Sequence, residues 1–293
     1  MSTVKIPQSV GIHDGSFHAD EVTACALLVL FNLVDKNHII RSRDPVVLAT
    51  CEYVCDVGGI YDPEKKLFDH HQADYKGTYS SAGMVLEYLK TSGVLTQKEY
   101  DFFNQSIIQG VDDHDNGRAI QNPGVTSFSQ VIGNFAPISY EPSDEEFNQT
   151  FYAAFNFAHG HLKRMWERYI YNRGCRSLVE DAMKKYKDCL IFDKALPWQE
   201  NFFELGGENH TAVYVIMPSG KHWKLRAIPP DLQRRMSTRL PLPEEWAGLS
   251  DKDLQKVSGV SGAIFCHKGR FISVWETKED ALKALKTILE KRR

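Results

Sequence analysis

Four short stretches concentrate side chains that bind metal or move protons. They are His13, His18 and Asp20 in HDGSFHADE, Asp56 in VCDVGG, Asp69, His70 and His71 in FDHHQ, and Asp112, Asp113 and Asp115 in GVDDHDNG. Carboxylates mixed with imidazoles suit a pair of divalent cations about 3.5–4 Å apart, which acidifies water and neutralises a phosphoryl group during in-line attack. Such a pair needs a bridging carboxylate, and Asp56, which ends an apolar run, suits that position. The donor mixture favours manganese, with magnesium or zinc as alternatives. Each stretch also has an ordinary reading. Asp20 heads a helix and serves as a cap, Asp56 precedes Gly58-Gly59 in a turn, and Asp115-Asn116-Gly117 is a turn sequence with or without metal. A lone His13 is more often structural, so the metal reading draws its weight from the four stretches together.

The elements around them explain how they could meet. SVGI (9–12) reads as a strand that runs into the first stretch, followed by the helix VTACALLVLFNLV; NHIIRSR (37–43) and CEYVCDVGG (51–59) read as further strands. KLFDHH is a strand edge, SSAGMVLEYLKTSG (80–93) a helix stopped by Gly93, and KEYDFFNQSIIQGVDD a helix leading into HDNG. Alternating strands and helices predict an α/β domain with a mainly parallel sheet and flanking helices, in which ligands bind beyond the carboxyl ends of the strands. From Ser143 a capping box (Ser143, Glu146) opens a helix with Phe147, Phe151, Phe155, Ala158, Leu162, Met165, Trp166 and Tyr169 at helical spacing, broken near Arg173-Gly174 and followed by SLVEDAMKKYK. Beyond residue 189 lies a smaller α/β unit. TAVYVIM and HWKLRAI form one hairpin, AIFCH and RFISVW a second, and a Thr277-capped amphipathic helix closes the chain. The expected division is 1–188 for the metal-binding catalytic domain with its connector helices, and 189–293 for a C-terminal substrate-binding domain.

A formal charge of −3 argues against a non-specific nucleic-acid coat while leaving room for a local basic groove. The six scattered cysteines complete no zinc spacing and read as buried reduced thiols. No apolar run is long enough to span a membrane, and no targeting peptide is visible, so the cytoplasm is the expected location.

The four stretches resemble the motifs of the DHH phosphoesterase superfamily, which includes RecJ-type nucleases, family II inorganic pyrophosphatases and small-oligonucleotide phosphodiesterases. Within it, GIHDGSFHADEVTACALL, IIRSRDP, CDVGGIYDPEKKLFDHHQ, SSAGMVLEYL, VDDHDNG and the later RLPLPEEWAGLSDKDLQKVSGVSGAIFCHKGRF are most similar to the melanocyte proliferating gene (MYG) exonuclease family, over nearly the whole chain. The resemblance implies a DHH-type domain, a smaller clamping domain, and a metal-dependent 3′–5′ RNA exonuclease. Carried onto this chain, it makes His13, His18, Asp20, Asp56, His70 and Asp112 the metal ligands, with Asp115 as an alternative to Asp112. It turns His71 to the scissile phosphate and leaves Asp69 to orient a histidine. Two departures stand out: His18 replaces an aspartate of RecJ-like and pyrophosphatase members, and SVWETKEDAL stands where a glycine-rich segment is common.

For substrate, Ser80, Ser81 and Gly83 open a helix whose free N–H groups suit a phosphate. His267 and Arg270 flank the turn after SGVSG and are the better basic candidates of the second domain. Lys221, Trp223, Lys224, Arg226, Arg234, Arg235, Arg239 and Lys268 read mainly as solvated surface. RNA or a short oligonucleotide is the expected substrate. The alternatives are a smaller one (dinucleotide, nucleotide phosphate or pyrophosphate) or a catalytically idle metal- or nucleotide-binding protein.

Overall fold

The computed structural model describes residues 4–291, and the chain divides into two compact units, Met1–Trp166 and Glu167–Arg293. In the first unit β1 (Ile6–Ile12), β2 (Ile39–Arg41), β3 (Cys51–Cys55), β4 (Tyr61–Asp62) and β5 (Leu67–Phe68) form one sheet in the order β2-β1-β3-β5-β4. All neighbours are parallel except β4, which pairs antiparallel to β5. The α/β class expected from the alternation of elements is therefore the class observed.

Helix α1 (Ala19–Leu30) connects β1 to β2, and α2 (Pro45–Leu48) connects β2 to β3. Residues 19–28 of α1 are all buried, as befits a helix that is apolar almost all round. Gly11 of β1 lets the other face close: a β carbon there would lie 2.8 Å from Cδ2 of Leu48. Helices α3 (Ser81–Thr91), α4 (Gln97–Phe103), α5 (Gln109–Asp115) and α6 (Phe128–Gly133) complete the layer with the start of α7 (Asp144–Gly174). A π-helical turn, Asn104–Ile108, joins α4 to α5. On α7, Phe151, Ala154, Phe155, Ala158 and Leu162 are buried at helical spacing, and the expected cap is present, with Glu146 N donating to Ser143 Oγ at 3.2 Å.

The order β2-β1-β3 creates a switch point. From β1 the chain crosses to β2 on one side, while β3 lies on the other, so a crevice opens beyond the carboxyl ends of β1 and β3. His13 follows β1 directly and Asp56 follows β3 directly.

In the second unit β6 (Cys189–Ile191), β7 (Tyr214–Ser219), β8 (His222–Ala227), β9 (Ala263–Cys266) and β10 (Ile272–Trp275) form a sheet in the order β6-β7-β8-β10-β9. Only β6 and β7 are parallel. One face packs Tyr214, Ile216, Leu225 and Trp275 against α10 (Asp251–Ser258) and α11 (Lys278–Glu290) through Leu254, Ala281 and Ile288. On the other, Val215 and Met217 meet α8 (Arg176–Lys185) and α9 (Gln199–Glu204) through Val179 and Phe202. Both expected hairpins are present, and Asp280 N donates to Thr277 Oγ1 at 3.1 Å. All six cysteines are buried free thiols. No helix among the described residues is long and apolar enough to cross a membrane.

Candidate metal centre

The loop between β1 and α1 is fixed at both ends. The backbone N–H of His18 donates to both oxygens of Glu21, at 2.8 and 3.0 Å, which closes the first turn of α1. Arg41, at the end of β2, donates from Nη2 to the Gly15 carbonyl at 2.5 Å and from Nη1 to Asn148 Oδ1 at 2.9 Å; its guanidinium lies 4.7 Å from the Phe151 ring centre. So held, the loop delivers His13 into the crevice, where its Nε2 lies 3.2 Å from Asp56 Oδ2 and 3.2 Å from Glu21 Oε1.

Asp56 leaves β3 with φ +56, a left-handed backbone that a non-glycine residue adopts at a cost. That turn aims its buried carboxylate at both sides of the crevice. Oδ1 lies 3.4 Å from His70 Nε2 and 3.4 Å from His71 Nδ1, opposite the His13 contact on Oδ2. His70 Nε2 is also 3.1 Å from Asp115 Oδ2 and 3.9 Å from Asp20 Oδ2.

Three sets of donor atoms each fall within 4.8 Å: His13, His18, Glu21 and Asp56; Asp56, His70 and His71; and His18, Asp20 and Asp115. The buried polar atoms argue that a cation belongs among them. Asp20 is only 1% exposed, yet neither of its carboxylate oxygens has a hydrogen-bond partner, and His70 Nε2 has none of hydrogen-bonding geometry. A buried carboxylate left unpaired costs several kcal/mol, so the donor set fits a divalent ion well.

Electrostatics point the same way. Burial, then the charges of Asp56, Glu21 and Asp115, push the Asp20 carboxyl well above its usual range. Burial alone would lower the imidazoles, but the adjacent carboxylates of Asp56 and Glu21 outweigh it at His13, and those of Asp115 and Asp56 do so at His70, pushing each up to about 10. Against its own burial, Asp56 is held below the carboxylate range by His13 and His70. The centre carries an excess of carboxylate and takes up positive charge wherever it can.

The FDHHQ triplet divides. His70 is mostly buried and turned to the carboxylates, whereas the His71 side chain is 63% exposed. Asp69 Oδ1 accepts from His71 N at 3.1 Å and lies 2.8 Å from His71 Nδ1, and Asp69 Oδ2 accepts from Gly59 N at 2.5 Å.

Asp112 lies outside the three donor sets. Its Oδ1 accepts from Ser80 N at 2.9 Å, Ser80 Oγ at 2.7 Å and Gly83 N at 3.1 Å. Burial pushes its carboxyl up to about 6, with those donors opposing. The helix N-terminus expected to cradle phosphate is thus turned inward: Ser80, Ser81 and Gly83 are buried, and Ser81 Oγ donates to the Phe68 carbonyl at 2.8 Å. Asp115, one turn beyond Asp112 on α5, is the acid of that run which reaches His70. Sequence reasoning misses Glu21; its signal is its place three residues after the cap position His18.

In the second unit, His267 Nδ1 accepts from Gly269 N at 2.9 Å and its ring packs 4.4 Å from that of Phe271. Arg270 takes the left-handed turn position with φ +55. Arg239 is not surface charge: its guanidinium donates to the carbonyls of Gly207, His210, Ala212 and Pro229.

Residues 9–289 match the family model MYG1_exonuc, described as an uncharacterised protein family, UPF0160. The MYG1 protein of Chlamydia pneumoniae is 53% identical over 289 residues, covering 99% of this chain and 99% of its own. The MYG1 exonuclease of Homo sapiens is 30% identical over 335 residues, covering 99% and 88%. Among solved structures, RecJ of Thermus thermophilus in complex with Mn2+ aligns at 13% identity with a TM-score of 0.28, over 97% of this chain and 52% of its own, so that the chain spans about half of that protein.

Proposed function

Since the chain belongs to the MYG1 exonuclease family, the uncharacterised protein family UPF0160, of which relatives carry the name exonuclease, we propose that it is a divalent-metal-dependent phosphodiesterase that shortens RNA from its 3′ end. The observation that carries this reading is the buried Asp20 carboxylate, without a hydrogen-bond partner and surrounded by Asp56, Glu21, Asp115 and, at 3.9 Å, His70 Nε2. His13, His18 and Asp56, with Glu21 beside them, would hold one ion, manganese by preference. Asp20, Asp56, His70 and Asp115 would hold the other, sharing Asp56. When bound, such ions neutralise phosphoryl charge and lower the pKa of water.

The chain's own groups do the rest. Asp69 engages Nδ1 of the exposed His71, which leaves Nε2 free to donate to a phosphoryl oxygen or to the departing one. Arg41 keeps the 13–18 loop at a fixed height through the Gly15 carbonyl. Ser80, Ser81 and Gly83 bind no substrate in this reading; they hold Asp112, and with it the helix that presents Asp115.

The test is a panel of end-labelled RNA and DNA oligomers of graded length, a dinucleotide and pyrophosphate, each with Mn2+, Mg2+ or chelator. Expected is a ladder of 5′-labelled RNA products shrinking from the 3′ end with Mn2+, absent with chelator and absent from Asp56→Asn. Hydrolysis of pyrophosphate alone would overturn the nuclease reading. Equal RNA decay by Asp56→Asn would overturn the metal assignment.

A further inference from the structure

Along β8, successive side chains point to opposite faces of the second unit's sheet. Leu225 and Ala227 enter the core shared with Trp275 and α11, so Lys224 and Arg226 lie on the other face. Lys224 stands between Met217 of β7 and Val274 of β10, and Val274 is in turn opposite Phe265 of β9. Arg226 stands between Val215 and Ile272. On the β7 side, Val215 and Met217 are buried in the cluster that includes α8 and α9 residues. On the β10 and β9 side the face is open: Ile272 and Val274 are half-buried and Phe265 is 38% exposed. His267, two residues beyond Phe265 on the same face, brings a second ring 6.3 Å from the first.

The two cations have no ion pair or hydrogen bond among the described residues. They are half-buried like charges two positions apart on one strand. Burial lowers the pKa of both, and Arg226 lowers Lys224 further. Elsewhere in this unit basic side chains have found carboxylates: Arg234 pairs with Asp231, and Lys278 with Asp193. A face that partly desolvates two cations and supplies no counter-charge is complementary to an anion. An exposed aromatic two strand spacings away, about 9.5 Å, is on the scale of one nucleotide.

We propose that the open face of β8, β10 and β9 binds single-stranded nucleic acid, with phosphates on Lys224 and Arg226 and a base stacked on Phe265. The identity of the polymer rests on the nuclease reading above; the anionic, aromatic-stacking character of the ligand rests on this face alone. Cationic grooves that interleave with aromatic side chains bind single strands without sequence preference.

The experiment is fluorescence anisotropy of a labelled single-stranded RNA of about a dozen nucleotides against the full-length chain in chelator. No turnover is needed, so the result stands whether or not the protein hydrolyses RNA. Lys224→Gln with Arg226→Gln is expected to weaken binding at least tenfold and to reduce the slope of log Kd against log salt by about 1.4, at about 0.7 per phosphate on a single strand. Phe265→Ala, which removes no charge, is expected to weaken binding about tenfold and leave the salt slope unchanged. A thermal melt confirms that each variant is folded, and Lys224→Met with Arg226→Met serves if the glutamines unfold. Wild-type affinity in both the charge variants and Phe265→Ala overturns the proposal. So does tight, Lys224-dependent binding of oligo-glutamate with no effect of Phe265→Ala, which makes the face a site for an acidic protein segment.

Discussion

The amide of Gly83 donates to Oδ1 of Asp112 at 3.1 Å, and a β carbon on Gly83 would lie 2.2 Å from Oδ2 of the same carboxylate. The carboxylate cannot swing aside, because Ser80 holds Oδ1 through both its N–H and its hydroxyl. Gly83→Ala is therefore expected to destabilise the protein by about 1–3 kcal/mol, as overpacking does, and to weaken Mn2+ binding by moving α5. Gly110, exposed on the same α5 with nothing within 4 Å of a β carbon, is the control. Gly110→Ala should stabilise by up to about 1 kcal/mol. Chemical denaturation and calorimetric Mn2+ titration of the pair decide the matter.

Asp20→Asn should separate stability from ion binding. It removes an unpaired buried carboxylate, so in chelator the variant should melt higher than wild type. With Mn2+ the order should reverse, because the wild type gains RT ln(1 + [L]/Kd) and the variant little of it. Melting curves with and without Mn2+ measure both halves.

The imidazoles of His13 and His70 are pushed up to about 10. A raised folded-state pKa gives stability that is complete below the ordinary value near 6.5 and is lost as pH climbs towards 10. The ion-free protein should therefore lose melting temperature steadily between about pH 6.5 and 10. Ion binding must displace those protons, so Mn2+ affinity should rise over the same interval, with proton release detected by calorimetry in buffers of different ionisation enthalpy.

Asp69→Asn keeps the shape of the residue but removes the charge beside His71 Nδ1. Lowered kcat, by about 10–100-fold, is expected with Mn2+ affinity changed only a few-fold. A loss of ion affinity as large as the loss of kcat would make Asp69 a ligand instead.

Arg239→Lys should act on stability. No lysine can reproduce a guanidinium that donates to the carbonyls of Gly207, His210, Ala212, Pro229 and Pro230. About 2–4 kcal/mol of destabilisation is expected, with the salt dependence of RNA binding unchanged.

The first unit was legible because its parallel strands are apolar runs, each ending abruptly in polar residues, and those ends are where the donors gather. His13 and Asp56 meet as their positions after β1 and β3 require. What stayed hidden depended on helix rotation and on very short elements. Asp112 and Asp115 share one helix face within a turn, and only the packing of α5 on α3 gives one to Ser80 and the other to His70. Two-residue strands such as β4 have no periodicity to read. Nor does the SSAG pattern reveal that its donors point inward, since an inward and an outward helix start have the same composition. In the second unit, residue type alone does not say which face of the hairpin Lys224 and Arg226 take; Leu225 between them, buried in the core, fixes it.

The π-helical turn Asn104–Ile108 carries one residue more than a regular helix would need there. Each residue turns an α-helix by about 100°, so the bearing of α5 is set several residues upstream of any acid it carries. A single-codon deletion within 104–108 would leave every donor in the gene and still swing Asp112 and Asp115 away from Ser80 and His70. In this stretch the reading frame of the helix, as much as the identity of its residues, is what inheritance must preserve.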